Sequence, residues 1–167
     1  TTGGGGAILC SDPSIASEVR HLTTTAKVAH PWRYFHDQVG YNYRMPNINA
    51  ALGLGQLARL DDFVERKRRL REAYADAFRA ISGVEVLDEP KGSLSNFWLQ
   101  NLVLDLSKSA MRDSLIEKLQ NAGYGCRPAW DLLCDLPAFT SCPRGDLRTA
   151  ENMVHRIVSL PSGVALI

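Results

Sequence analysis

From Ala51 to Ile81 the apolar residues return every three or four positions: Ala51, Leu54, Leu57, Leu60, Phe63, Val64, Leu70, Tyr74, Phe78 and Ile81. That period predicts a helix over 47–82, with Asn47 as its cap and Ser82-Gly83 as its stop. At 1.5 Å per residue such a helix is roughly 50 Å long, more than the width of a small domain. A chain of 167 residues holds one good core, or one small domain and part of another. The helix is therefore expected to join two bodies or to bend. Ala50, Ala51, Gly53 and Gly55 near its start would let another backbone come close.

Before it, Ala7-Ile8-Leu9-Cys10 reads as a strand, and Ser11 or Asp12 caps a helix that opens on Pro13 and runs to about Leu22. Residues 23–46 have no helical period, and a loop of that length in a compact domain is expected to be functional. After it, the pattern is α+β. Val84–Leu87 and Phe97–Leu104 read as strands, separated by a turn-rich break from Pro90 to Ser95. Ser109–Gln120 is an amphipathic helix on Met111, Leu115, Ile116 and Leu119, stopped at Gly123. A loop over 125–145 carries Pro128, Pro137 and Pro143, Asp146–Ile157 is helical, and Val158–Pro161 is a brief strand.

A formal charge of +1 gives no electrostatic reason for a nucleic acid or an anionic membrane as partner. No apolar run approaches the roughly 20 residues of a membrane span, and the first residues lack signal-peptide character, so a cytoplasmic protein is expected. Cys10, Cys126, Cys134 and Cys142 match neither zinc pairs nor a dense disulfide framework and are expected as reduced thiols. His21, His30, His36 and His155 show no metal-binding pairing, and no metal site is expected.

Four segments could carry chemistry. Gly3 to Gly6 lack the spacing of a dinucleotide or P-loop and read as a tight backbone passage. The polar loop Thr23 to Lys27, with His30, Trp32, Tyr34 and His36, offers either surface aromatics and capping hydroxyls or a stacking surface with hydrogen-bonding histidines. Tyr41-Asn42-Tyr43-Arg44 is either a packed loop with a paired arginine, or an anion grip beside the helix N-terminus, where the dipole favours negative charge. Arg127-Pro128-Ala129-Trp130 is a substrate clamp or a turn with a packed indole. The basic run Arg66 to Arg69 is surrounded by Asp61, Asp62, Glu65, Glu72 and Asp76 at helical spacings, and reads as a solvated, salt-bridged face.

Taken in order, Thr1 to Leu9, Arg20 to Leu22, Thr23 to Trp32, Gly40 to Pro46, Asn49 to Gly53 and Gln56-Leu57 resemble a sugar-nucleotide aminotransferase of the DegT class. Arg127 to Trp130 and Leu160 to Ser162 fit the family's C-terminal part. The resemblance implies a fold-type-I enzyme that uses pyridoxal phosphate, of the α/β class. Residues 1–46 would be the end of its large domain with an active-site loop, 47–82 a long connecting helix, and 83–167 a small α+β domain. Within the class the chain is most similar to the branch acting on UDP-linked 4-keto-6-deoxy amino sugars, of the kind used for bacterial nonulosonic acids and surface glycans. The reaction implied is amination of a nucleotide-linked 4-keto-6-deoxy sugar with glutamate as amino donor.

In the family, the lysine that forms the Schiff base lies just ahead of the segment matching Thr1-Thr2-Gly3. Lys27, Lys67, Lys91, Lys108 and Lys118 all lie elsewhere. The resemblance therefore implies a C-terminal portion that is inactive alone, supplies no catalytic residue and does not hold the cofactor unaided. It implies a homodimer or higher homo-oligomer in which Asn42 binds the cofactor phosphate across the interface, with Arg44 beside it in the cofactor-binding set, there for the ligand's phosphates or for fixing the loop. His30, Trp32, His36, Tyr41, Arg127 and Trp130 would line the nucleotide-sugar side. The other reading is a non-catalytic module of the same fold that binds a nucleotide sugar or dimerises.

Overall fold

A computed structural model describes residues 1–167, which divide into two compact units, Thr1–Leu60 and Asp61–Ile167. In the first, helix α1 (Pro13–Thr23) begins where expected. Asp12 accepts a hydrogen bond from the Ser14 amide at 2.7 Å and one from its hydroxyl at 2.7 Å. Pro13 sits at the first helical position, where its missing N–H costs nothing. The expected strand over Ala7–Cys10 does not form: the segment joins no sheet. A strand needs a ladder partner, and none lies beside this segment in the chain.

The helix expected over 47–82 is two helices, α2 (Asn47–Leu57) and α3 (Leu60–Phe78). At the junction the Arg59 amide reaches only three residues back, to the Gln56 carbonyl at 3.1 Å, and the α-ladder stops. Gly53 and Gly55 weaken α2 by about 1 kcal/mol each relative to alanine, and α2 has no buried residue to compensate. Asn47 is not the cap; Pro46 holds that position, and no side chain caps the helix. Asn49 instead turns to the glycine run, donating from Nδ2 to the Thr2 carbonyl at 2.6 Å. Gly5, at φ +136°, passes so close to the Met45 side chain that a Cβ would collide with it.

The second unit is a four-stranded antiparallel sheet with helices against it. The strands are β1 (Val84–Val86), β2 (Gln100–Leu104), β3 (Arg127–Pro128) and β4 (Ile157–Leu160), in the order β1-β2-β4-β3. Leu102 faces Val158 across the β2–β4 ladder, and Val86 faces Leu102 across β1–β2. The core collects Val86, Leu102, Leu104, Cys126, Val158 and Leu160 from this region. From the helices it takes Ile116, Leu115 and Leu119 of α4 (Arg112–Asn121), and Tyr74, Ala75 and Phe78 of α3. A helix α5 (Arg148–Val154) precedes β4, shorter than the expected 146–157. Phe97 and Trp98 precede β2 instead of belonging to it, because Phe97 takes φ +44°, which no strand residue adopts.

The basic run of α3 departs from the expected solvated face. Arg66 does pair with Asp62, at 3.2 Å. Lys67 and Arg68 instead tie α3 to distant segments. Lys67 Nζ donates to the Trp98 carbonyl (2.9 Å) and to the Ser162 carbonyl and hydroxyl (2.6 and 2.8 Å), and burial pushes its ammonium below the usual lysine range. Arg68 grips both oxygens of Glu89, at 2.5 and 3.1 Å, and donates to the Ser95 carbonyl at 2.6 Å.

That grip, with the Ser95 amide as a further donor, lowers the Glu89 carboxyl to about 2 from 4.5. A carboxyl lowered by folding stabilises fully above its unfolded value, and the contribution fades as pH falls through the folded one. Acid titration of the wild-type chain should therefore show stability draining between pH 4.5 and about 2. In Glu89→Gln, urea midpoints over that window should be lower at the top and depend less on pH. A pH slope equal to that of the wild type would remove Glu89 from the account.

Candidate functional site

The loop after α1 is shaped by two places where its arms pair, Thr24 with Asn42 and Lys27 with His36. The Thr25 amide donates to the Tyr41 carbonyl at 3.0 Å, the Tyr43 amide to Thr23 at 3.0 Å and the Val28 amide to Phe35 at 2.9 Å. Residues 28–35 thus project from a hydrogen-bonded base formed by Thr23–Lys27 and His36–Tyr43. The base turns through Thr25 and Ala26, both at positive φ (+69° and +50°), and Ala26 is the one fully buried residue of the first unit.

Extended backbone sends alternate side chains to opposite sides. Tyr41 and Tyr43 share one side, their rings stacked at 5.3 Å, and Asn42 takes the other. Asn42 and Arg44 are exposed, and neither side chain makes a hydrogen bond or ion pair within the chain. They follow the paired base and precede the uncapped start of α2 by a few residues. An amide and a guanidinium free of internal partners, next to a helix start with open N–H groups, suit an anion.

On the projecting part, His30 and Trp32 meet edge to face at 4.7 Å. His30 Nδ1 accepts from the Trp32 and Arg33 amides at 3.3 and 3.0 Å, leaving Nε2 as the ring atom open to a ligand. His36 Nδ1 lies 2.7 Å from the Thr25 carbonyl, which can only accept, so Nδ1 carries the proton and Nε2 is free. His36 therefore serves the base of the loop as well as any ligand. A residue pair outside the sequence expectation supports the same base: His21 Nε2 meets Asp37 Oδ1 at 2.7 Å, and this bond lowers the Asp37 carboxyl. Their separation of 16 residues gives no sequence signal.

Arg127 and Trp130 belong to the second unit. Arg127 is exposed and its guanidinium reaches only the neighbouring Cys126 carbonyl, at 3.3 Å. Trp130 stacks on Trp98, centroids 6.2 Å apart at 27°. In sequence Trp98 lies inside Phe97–Leu104, which reads as a single strand and gives the indole no separate signal. All four cysteines are free thiols, as expected; burial raises the Cys126 thiol above its usual range. No helix is long and apolar enough to cross a membrane.

Lys27, the one lysine of the first unit, lies 4.3 Å over the Tyr34 ring, and Lys67 is consumed by carbonyls. An amide, a guanidinium and a helix start with open N–H groups are chemically suited to the phosphate of pyridoxal phosphate.

Mixed helix and strand with a small antiparallel sheet is shared with solved chains of the aminotransferase fold. The DegT/DnrJ/EryC1/StrS aminotransferase family profile matches residues 1–167, and the chain belongs to that family. It is 31% identical to EpsN of Bacillus subtilis, designated a pyridoxal phosphate-dependent aminotransferase, over 98% of this chain and 42% of that one. It is 32% identical to the GDP-perosamine synthase of Vibrio cholerae, over 97% of this chain and 44% of that one. The structure of Helicobacter pylori PseC, an aminotransferase involved in pseudoaminic acid biosynthesis, superposes with a TM-score of 0.83 at 17% identity, covering 93% of this chain and 43% of the other. The chain spans less than half the length of these relatives.

Proposed function

We propose that this chain is the C-terminal portion of a pyridoxal-phosphate-dependent aminotransferase acting on a nucleotide-linked 4-keto-6-deoxy sugar in the cytoplasm, with glutamate as amino donor. By itself it does not transaminate. The observation that carries the reading is a family match along the whole chain, joined to a loop whose base is hydrogen-bonded and whose Asn42 and Arg44 are free.

When bound, the cofactor supplies the electron sink and carbonyl for amino transfer. This chain's part is positional. Asn42 Nδ2 and the Arg44 guanidinium hold the phosphate, aided by the open amides of α2. Free Nε2 atoms on His30 and His36 offer hydrogen bonds to sugar hydroxyls. A homodimer or larger homo-oligomer completes the site, with the loop serving the neighbour. Support for association comes from the first unit's exposed apolar side chains, among them Ile8, Leu9 (95% exposed), Val39, Ile48 and Leu54.

The chain alone, given pyridoxal phosphate, glutamate and a 4-keto-6-deoxy sugar nucleotide, should form no 2-oxoglutarate. Mixed with the upstream portion of a family member, it should support glutamate-dependent amination. In that mixture Asn42→Ala should weaken cofactor binding about tenfold or more, the worth of a charge-assisted hydrogen bond. Turnover by the chain alone would overturn the first expectation. A stable mixed complex that stays inert would overturn the assignment.

A further inference from the structure

Trp98 is exposed (64%) on a backbone that is fixed on every side. Its amide donates to Asn96 Oδ1 at 3.0 Å. Its carbonyl accepts from Lys67 Nζ at 2.9 Å and from the Ser162 hydroxyl at 2.6 Å. The preceding Phe97 is held at φ +44°, with its ring buried and the Arg68 guanidinium 5.2 Å above it. A non-glycine residue in the left-handed region costs of order 1–3 kcal/mol, and such strain persists where the surroundings impose it, often at ligand clamps. The bracing thus maintains an unfavourable backbone and yields, next in sequence, a large apolar ring facing outward.

That ring is not alone. Trp130, 71% exposed, lies nearly parallel to it at 6.2 Å, and the exposed Arg127 is three residues before Trp130 with no acidic partner. Stacking spares each indole one face, and both remain more than half open. A pure packing role would bury them, since an indole loses most by exposure to water. Flat π-systems recognise flat π-systems: nucleobases stack on aromatic side chains with little dependence on base identity. A guanidinium close by in the chain supplies the charge that a diphosphate requires.

We propose that Trp98 and Trp130 form an aromatic platform that takes the base of the nucleoside diphosphate of the nucleotide sugar, with Arg127, three residues before Trp130 in the chain, supplying the charge for its diphosphate. Trp98 is the new element and sets how tightly the nucleotide is held. The ligand class rests on the aminotransferase reading; the platform itself rests on the stacked, braced indoles.

The test titrates the full chain with uridine diphosphate and guanosine diphosphate by calorimetry, together with indole emission. Both probes should bind and quench emission to saturation. Trp98→Ala should weaken binding about tenfold or more, the usual worth of a base–aromatic stack. Trp98→Phe should recover most of the affinity, and Arg127→Ala should weaken the diphosphates while leaving the nucleosides uridine and guanosine unaffected. Far-UV circular dichroism checks that each variant is folded. The inference is overturned if Trp98→Ala binds as the wild type does, or if the wild type binds neither probe. It is equally overturned if the indoles become shielded with rising protein concentration alone, which would assign them to a protein interface. Probe binding without amination in the mixed complex would sink the aminotransferase reading and leave the platform standing; amination without Trp98 dependence would do the reverse.

Discussion

Leu102→Ala should unfold the second unit at far lower urea than the wild type, with a loss of about 2–5 kcal/mol. Leu102 is 2% exposed, faces Val86 on one neighbouring strand and Val158 on the other, and lies in the central cluster. Truncation removes its apolar area from the core and leaves a hole that the two ladders prevent from closing. Small domains carry only about 5–15 kcal/mol of stability in total, so the change takes a large share. The transition should be followed by far-UV circular dichroism, since the sheet lies entirely in this unit. A cost below about 1 kcal/mol would mean that the sheet relaxes into the space and that the cluster is less closely packed than its burial indicates.

How much of this was legible in the residues depended on whether the signal was local. The Asp12–Pro13 start of α1 was legible because a cap and a proline act within one turn. The strands at 84 and 100 were legible because apolar residues with turn breaks on either side have few other solutions. The break between α2 and α3 was not, because a turn at Ala58–Arg59 keeps the apolar period nearly in phase while ending the hydrogen-bond ladder. Trp98 was hidden for a similar reason: inside Phe97–Leu104 it reads as another strand residue, and only the positive φ at Phe97 shows that the strand begins later. Ala7–Cys10 had strand-like residues, but composition cannot report whether a neighbouring strand exists. The functions of Lys67 and Arg68 were beyond local reading, because their partners Ser162 and Glu89 are set by the fold. For the site, Asn42 and Arg44 stood out through the family's order of motifs. The structure adds that neither side chain has a partner within the chain.

Gly40→Ala should disable the loop that carries Asn42 while leaving the second unit intact. At Gly40 the chain passes directly over the backbone of Thr25 and Ala26, and a Cβ would strike the Ala26 amide nitrogen, the Thr25 carbonyl carbon and the Ala26 methyl. Neither neighbour yields readily. Both already occupy positive φ, and Ala26 has no solvent-exposed surface. Relief must come from separating the two arms, which breaks the bonds from Thr25 to Tyr41 and from Tyr43 to Thr23 that hold Asn42 in place. Forced overpacking costs about 1–3 kcal/mol. Here it falls on a unit with a single fully buried residue, so there is little else to keep the arms together. Amide exchange at Thr25, Tyr41 and Tyr43 should speed up by about ten- to a hundredfold, each 1.4 kcal/mol being one factor of ten. Exchange across β2 and β4 should not change. Cofactor binding in the mixed complex should fall at least as far as in Asn42→Ala, because the same side chain loses its position without being altered. Unchanged exchange at those three amides would show that the close approach at Gly40 is not what shapes the loop.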